Sequence, residues 1–148
     1  MKTKMNVSLL QQIRASILEE PRRLDMDTWV ERSSSAPCGT ISCIAGHAVL
    51  IDMLNRADKT FRNKMFLADN LPLLGEISGK ARKLLGLAST QRDKLFFVRY
   101  WPDKFREQYS DVMNYNMFAE ELKKPARAQL AKITAQRINH FIKTKGRS

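Results

Sequence analysis

The stretch Pro37-Cys38-Gly39-Thr40-Ile41-Ser42-Cys43-Ile44-Ala45-Gly46-His47-Ala48-Val49-Leu50-Ile51-Asp52-Met53-Leu54-Asn55 decides the fold. From Ile41 to Leu54 almost every residue is apolar or small, so a helix here has no polar face to offer water. A helix apolar all round is a buried one, and at roughly 14 residues it is shorter than a bilayer span. Thr40 is placed as its N-cap, with Pro37 and Gly39 favouring a turn ahead of it. Ala45, Gly46 and Ala48 leave little bulk, so a neighbouring element can approach the backbone closely. Gly46 costs about 1 kcal/mol against Ala in a helix, which marks it as a structural position.

Outward from this helix the pattern stays helical. Leu9, Ile13 and Ile17 recur every four residues, with Leu10 and Leu18 widening the stripe, and predict a helix over 8–19 stopped by Pro21. The segment 24–30 reads equally as a short strand or a loose helical turn, and 32–36 as a loop. Residues 76–85 carry Ile77, Ala81, Leu84 and Leu85 on one face, with Gly86 as C-cap. Thr90 with Asp93 suggests a capping box opening the next helix. Trp101-Pro102 breaks that helix, and Pro102 opens a short one bearing Phe105 and Tyr109. A further helix is expected over 112–122 and a last one from Pro125 to Lys143, its inner stripe made by Ala126, Leu130, Ile133, Ile138, Phe141 and Ile142. The expectation is a mainly α fold, residues 1–148 forming one compact domain around the central helix.

The chain has 148 residues, 26 Lys/Arg and 15 Asp/Glu, a net charge of +11. The excess is lopsided. Residues 1–74 carry 10 Lys/Arg against 8 Asp/Glu, and residues 75–148 carry 16 against 7. Such a balance points to an acidic partner, nucleic acid or an acidic protein, met by the second half. There is no apolar run behind the N-terminal lysines and none long enough to span a membrane, so no membrane partner is expected. Two cysteines do not make a disulfide framework, and the cytoplasm is the expected compartment.

Several segments in order are similar to a pattern in small bacterial and phage proteins of unknown function. They are Asp25-Met26-Asp27-Thr28-Trp29, then Cys38-Gly39-Thr40-Ile41-Ser42-Cys43-Ile44-Ala45-Gly46-His47-Ala48, then Ala81-Arg82-Lys83-Leu84-Leu85-Gly86-Leu87 leading into Leu95-Phe96 and Trp101-Pro102, and finally Ala135-Gln136-Arg137-Ile138-Asn139-His140-Phe141-Ile142. The resemblance brings no activity with it. Its members often carry Trp where this chain has His47, which argues against a role that requires an imidazole there.

Cys38, Cys43, His47 and His140 are all the cysteines and histidines of the chain, and two plus two is a tetrahedral zinc set. Cys43 and His47 share a helical face, yet the Cys-x4-Cys-x3-His spacing matches no common finger. Packing of Cys43 as a small apolar group is the plainer account. A second alternative is a Cys-dependent hydrolase or transferase, with Cys38 near a helix N-terminus as nucleophile, His47 or His140 as base and Asp25 or Asp27 as the orienting carboxylate. Trp29 reads as a core plug. Arg137 falls on the apolar stripe of the last helix, where a charge must be paired. Asp25, Asp27 or Asp52 is its expected carboxylate, fixing how the helix docks.

The basic surface carries the favoured reading, a non-enzymatic binding protein. Arg82 and Lys83 cluster on one helix, while Arg99, Lys104 and Arg106 surround Trp101. Cations interleaved with aromatics suit phosphate contact and base stacking. Arg127, Lys132 and Lys143 are read as spread around the last helix. No motif implies a cofactor or a metal in this reading.

Overall fold

The computed structural model describes residues 4–26, 30–32, 40–56, 74–119 and 122–148. Asp27, Trp29, Pro37, Cys38 and Gly39 lie outside the described residues. Helix α1, Val7–Glu19, opens where Asn6 Oδ1 accepts the Leu9 N–H at 3.0 Å. Leu9, Leu10, Ile13 and Ile17 are buried, as their spacing predicts. Leu18 is 41% exposed and does not widen the stripe: it lies a residue beyond Ile17, about 100° around the axis. A 3-10 turn, Pro21–Arg23, follows, with the proline at its start.

A small antiparallel ribbon comes next. Strand β1, Val30–Arg32, pairs with β2, Thr40–Ser42, so that Val30 faces Ser42 and Arg32 faces Thr40. Leu24 bridges to Ser42 in the parallel sense, and the Asp25 N–H donates to the Ser42 carbonyl at 3.1 Å. Thr40 is therefore a strand residue and not a helix cap. The ribbon takes up the backbone groups of residues 40–42, and helix α2 begins later, at Ile44, and runs to Arg56. Its first helical bond runs from His47 N–H to the Cys43 carbonyl, 2.9 Å, which makes Cys43 the capping residue. Every residue from Ser42 to Leu50 is buried, Gly46 included. This is the apolar core helix, although its last turn reaches the surface, where Asn55 Nδ2 donates to Gln12 Oε1 of α1.

Helix α3, Leu74–Leu85, buries Ile77, Ala81 and Leu85. It closes as a Schellman motif: Leu87 N–H returns to the Arg82 carbonyl and Gly86 N–H to that of Lys83, with Gly86 at φ +64°. A side chain at Gly86 would set its Cβ 2.1 Å from the Lys4 carbonyl oxygen, so the glycine also admits the segment before α1. Helix α4, Ser89–Phe96, starts one residue before the expected Thr90 cap. Ala88 holds the cap position without a side-chain acceptor. Gln91 Oε1 takes the Ala88 N–H at 2.8 Å and supplies half of a capping box.

After a 3-10 turn at Val98–Tyr100, helix α5 runs Asp103–Tyr115. The separate helix expected over 112–122 does not form. Its first residues extend α5, which ends where Asn116 folds its side chain back onto the Val112 carbonyl, 2.7 Å. Helix α6, Lys124–Lys143, matches the expected last helix, with Pro125 in its first turn. Lys145 at φ +53° and Gly146 at φ +74° end it.

Buried residues of the six α-helices among the described residues meet in one apolar cluster. Helix α2 packs on α3 and α1, α1 on α6, and α5 on α6. The fold is mainly α. No helix among the described residues is long and apolar enough to cross a membrane.

Candidate functional site

The cysteine and histidine chemistry resolves into two unconnected places. Around β2 and the start of α2, Asp25, Cys43 and His47 do gather. The Cys43 thiol is pushed up to about 11, chiefly by burial. The N–H groups of Gly46 and Ala45 at the helix start pull it down, as a helix N-terminus should, but desolvation wins and Asp25 adds to it. His47 Nδ1 lies 2.9 Å from the Cys43 carbonyl oxygen, which can only accept, so Nδ1 carries the hydrogen. Ser42 Oγ stands 2.8 Å from the same nitrogen. Nε2 is buried without a partner, and burial drives the imidazole down to about 4, with the Arg23 charge acting in the same direction.

A thiol held protonated beside an imidazole held neutral is the opposite of an activated pair. His140 stands on α6 beside Phe105, in another part of the molecule, and among the described residues no three His, Cys, Asp or Glu side chains are placed to hold a metal. The zinc and cysteine-nucleophile arrangements both require Cys38, which lies outside the described residues.

Arg137 is buried on α6 as its position in the stripe predicts, but its partners are not the expected carboxylates. Nη2 donates to the Lys94 carbonyl at 2.8 Å and Nη1 to the Ser148 carbonyl at 3.0 Å. The guanidinium also stands 5.4 Å from the centre of the Phe141 ring and 6.0 Å from that of Phe105. Main-chain oxygens and ring faces stand where an aspartate was expected, and burial lowers its pKa to about 10. Its role is still to fix docking: it ties α6 to α4 and to the chain after α6.

Of the six residues proposed to contact a partner, three are spent locally. Trp101 is only 2% exposed. Its Nε1 donates to the Leu95 carbonyl at 3.0 Å, and its ring meets Tyr109 edge to face at 5.5 Å. It is a core residue and not a stacking platform. Arg82 Nη1 donates to the Leu87 carbonyl beside the Gly86 turn. Arg106 is paired with Asp103. Lys83 is exposed. Arg99 is exposed too, its guanidinium 4.8 Å from the Tyr100 ring centre and 5.4 Å from that of Phe97.

Lys104 opens a different site. It lines a groove of about 810 Å³ between α5 and α6. From α5 the walls are Lys104, Phe105, Gln108, Asp111 and Val112, and from α6 Gln129, Lys132, Ile133, Gln136, Asn139, His140 and Lys143. Lys132 and Lys143, read above as scattered, stand on one face. Eleven residues make just over three turns, leaving them about 20° apart around the axis. Arg127, by contrast, points to the Leu122 carbonyl, 3.0 Å away.

The two helices run antiparallel, with the Phe105 and His140 rings 5.3 Å apart near one end. That end is the more positive. His140 is held below its ordinary pKa by burial and by the charges of Arg137, Lys104 and Lys143, in that order. Its Nε2 lies 3.1 Å from Ser148 Oγ. Asp111 stands two turns from Lys104, and Lys132 about as far from His140, so carboxylate and third lysine share the other end. Between the ends lie the side-chain amides of Gln108, Gln136 and Asn139, with Gln129 a turn beyond Lys132; these both donate and accept.

Comparison with family models, with characterised proteins and with solved structures gives no match to this chain.

Proposed function

We propose that this chain is a cytoplasmic, non-catalytic binding protein that takes up a polyanion, nucleic acid before an acidic protein, in the groove between α5 and α6. One observation carries the reading: Lys132 and Lys143 share a face of α6 and line the groove whose α5 wall carries Lys104, so that the lining holds three lysines and one carboxylate, Asp111. The second half of the chain supplies the wider field, with 16 Lys/Arg against 7 Asp/Glu over residues 75–148. Exposed Lys83 and Arg99 extend that field without forming a pocket. The amide-bearing lining favours nucleic acid over an acidic peptide, since paired donors and acceptors suit base and sugar edges.

The test is titration with single- and double-stranded DNA and RNA at about 50 and 200 mM salt. Phosphate-driven binding weakens by orders of magnitude across that range, because each neutralised phosphate releases counterion. Binding at the lower salt with steep loss at the higher is the expected result. No binding to any of the four at the lower salt removes nucleic acid, and an acidic protein then has to account for the positive half.

A further inference from the structure

The groove is not uniform along its length, and this asymmetry says more about the ligand than its net charge does. At one end Lys104 of α5 and Lys143 of α6 line the groove together with His140, whose Nε2 lies 3.1 Å from Ser148 Oγ. The Arg137 guanidinium stands behind the wall, 6.0 Å from the Phe105 ring centre. The carboxylate of the groove wall, Asp111, is two helical turns away, about 10 Å along α5. Arg137 is enclosed and directed at carbonyl oxygens, so it contributes field without competing for a ligand. Lys104 and Lys143 are both exposed, and the Lys104 ammonium stands 5.6 Å from the Phe105 ring centre at the groove wall.

We infer that the Lys104–His140–Lys143 end of the groove is a binding site for a phosphate monoester, with the adjoining amides of Gln108, Gln136 and Asn139 holding the neutral body of the molecule. The chemistry is that of a nucleotide phosphate, whether on a free nucleotide or at the 5′ end of a strand. A compact, doubly charged group suits two ammonium ions on facing helices beside an imidazole at one end of a groove. An acidic side chain carries half that charge on two oxygens. A groove of about 810 Å³ is also ample for a ligand of nucleotide size. The inference rests on the groove being the anion site of the protein and adds which anion and at which end.

Proton NMR of the histidine rings reads the site directly, because the chain has only two histidines and His47 is enclosed. The probes are inorganic phosphate, AMP, adenosine, and an oligothymidylate with and without a 5′-phosphate. Phosphate and AMP are expected to move the His140 signal and leave His47 in place, and adenosine to move neither. Lys104→Gln and Lys143→Gln, surface changes that leave the core intact, should each weaken AMP binding roughly tenfold, the value of a charge-assisted contact. A free nucleotide is the ligand if AMP binds while the two oligonucleotides do not differ. A strand end is the ligand if the phosphorylated one binds about tenfold tighter.

A His140 signal unmoved by phosphate, AMP and the phosphorylated strand overturns the site, as does equal binding of adenosine. If long strands still bind in that case, only the phosphate site is lost and the polyanion reading stands. If AMP moves His140 but no strand of either kind binds, the phosphate site holds and the polyanion reading fails.

Discussion

The two histidines sit in opposite settings, and the contrast separates the part of the molecule that is built for stability from the part that is open to chemistry. His47 is enclosed at the start of α2, its Nδ1 bound to the carbonyl one turn back and its Nε2 buried without a hydrogen-bond partner. His140 lines a groove and faces lysines. Both have lowered pKa values, and burial is the largest cause at each. Burial dominates at His47 and drives it to about 4. At His140 three named cations add to burial. A histidine enclosed in the core reports on packing, whereas one that lines a groove among lysines stands where an anion can be met.

The largest effect that would test this division is at Trp101, which belongs with His47 on the enclosed side. Trp101→Ala should cost about 3–5 kcal/mol of stability, as removal of a buried aromatic does, and leave the salt dependence of polyanion binding unchanged once measured below the melting temperature. A variant that melts like wild type but loses binding would move Trp101 to the open side and undo the contrast.

His47 comes next. Its folded pKa, about 4, lies below the ordinary 6.5, so the unfolded chain takes up a proton first as pH falls. The stabilisation is full above about pH 6.5 and is lost as pH drops towards 4, amounting to roughly 3 kcal/mol across that window. Urea unfolding at pH 7 and pH 4.5 measures it. His47→Gln keeps an N–H for the Cys43 carbonyl and has nothing to titrate, so its loss between the two pH values should be smaller than that of wild type. Equal losses in the two proteins would mean that His47 is not the group responsible.

His140→Ala should cost only about 1 kcal/mol, the scale of the Phe105 ring contact and the Ser148 hydrogen bond that it would lose. A loss of several kcal/mol would show that the Phe105 and Ser148 contacts hold the helices together and that His140 is as structural as His47.

Much of the fold was legible because its signals are local. The stripe of α1, the run of α2 and the Gly86 turn each depend on spacing or on a single conformational demand. The start of α2 was not, since Thr40 caps helices well in isolation and only pairing with Val30–Arg32 draws it into a strand. Trp101 misled for a related reason: an indole whose N–H finds the Leu95 carbonyl can be enclosed at no polar cost, and nothing beside it in the sequence announces that partner. Arg137 was placed correctly in the core, but its partners, two carbonyls from distant segments, leave no trace in residue type. The groove could have been seen. Lys132, Gln136, Asn139, His140 and Lys143 keep helical spacing on α6, and Lys104, Gln108 and Asp111 keep it on α5. Each stripe is polar, however, and a search for apolar periodicity passes over it.

The salt dependence of polyanion binding, compared between wild type and the variant Lys104→Gln/Lys132→Gln/Lys143→Gln, tests the groove most directly. For a single strand each phosphate contact contributes about 0.7 to the slope of log K against log salt. Loss of all three lysines should therefore flatten the slope by about 2 and weaken binding at low salt, with the melting temperature unchanged. A slope equal to that of wild type would place the anion contacts elsewhere on the basic surface and contradict the assignment of the groove.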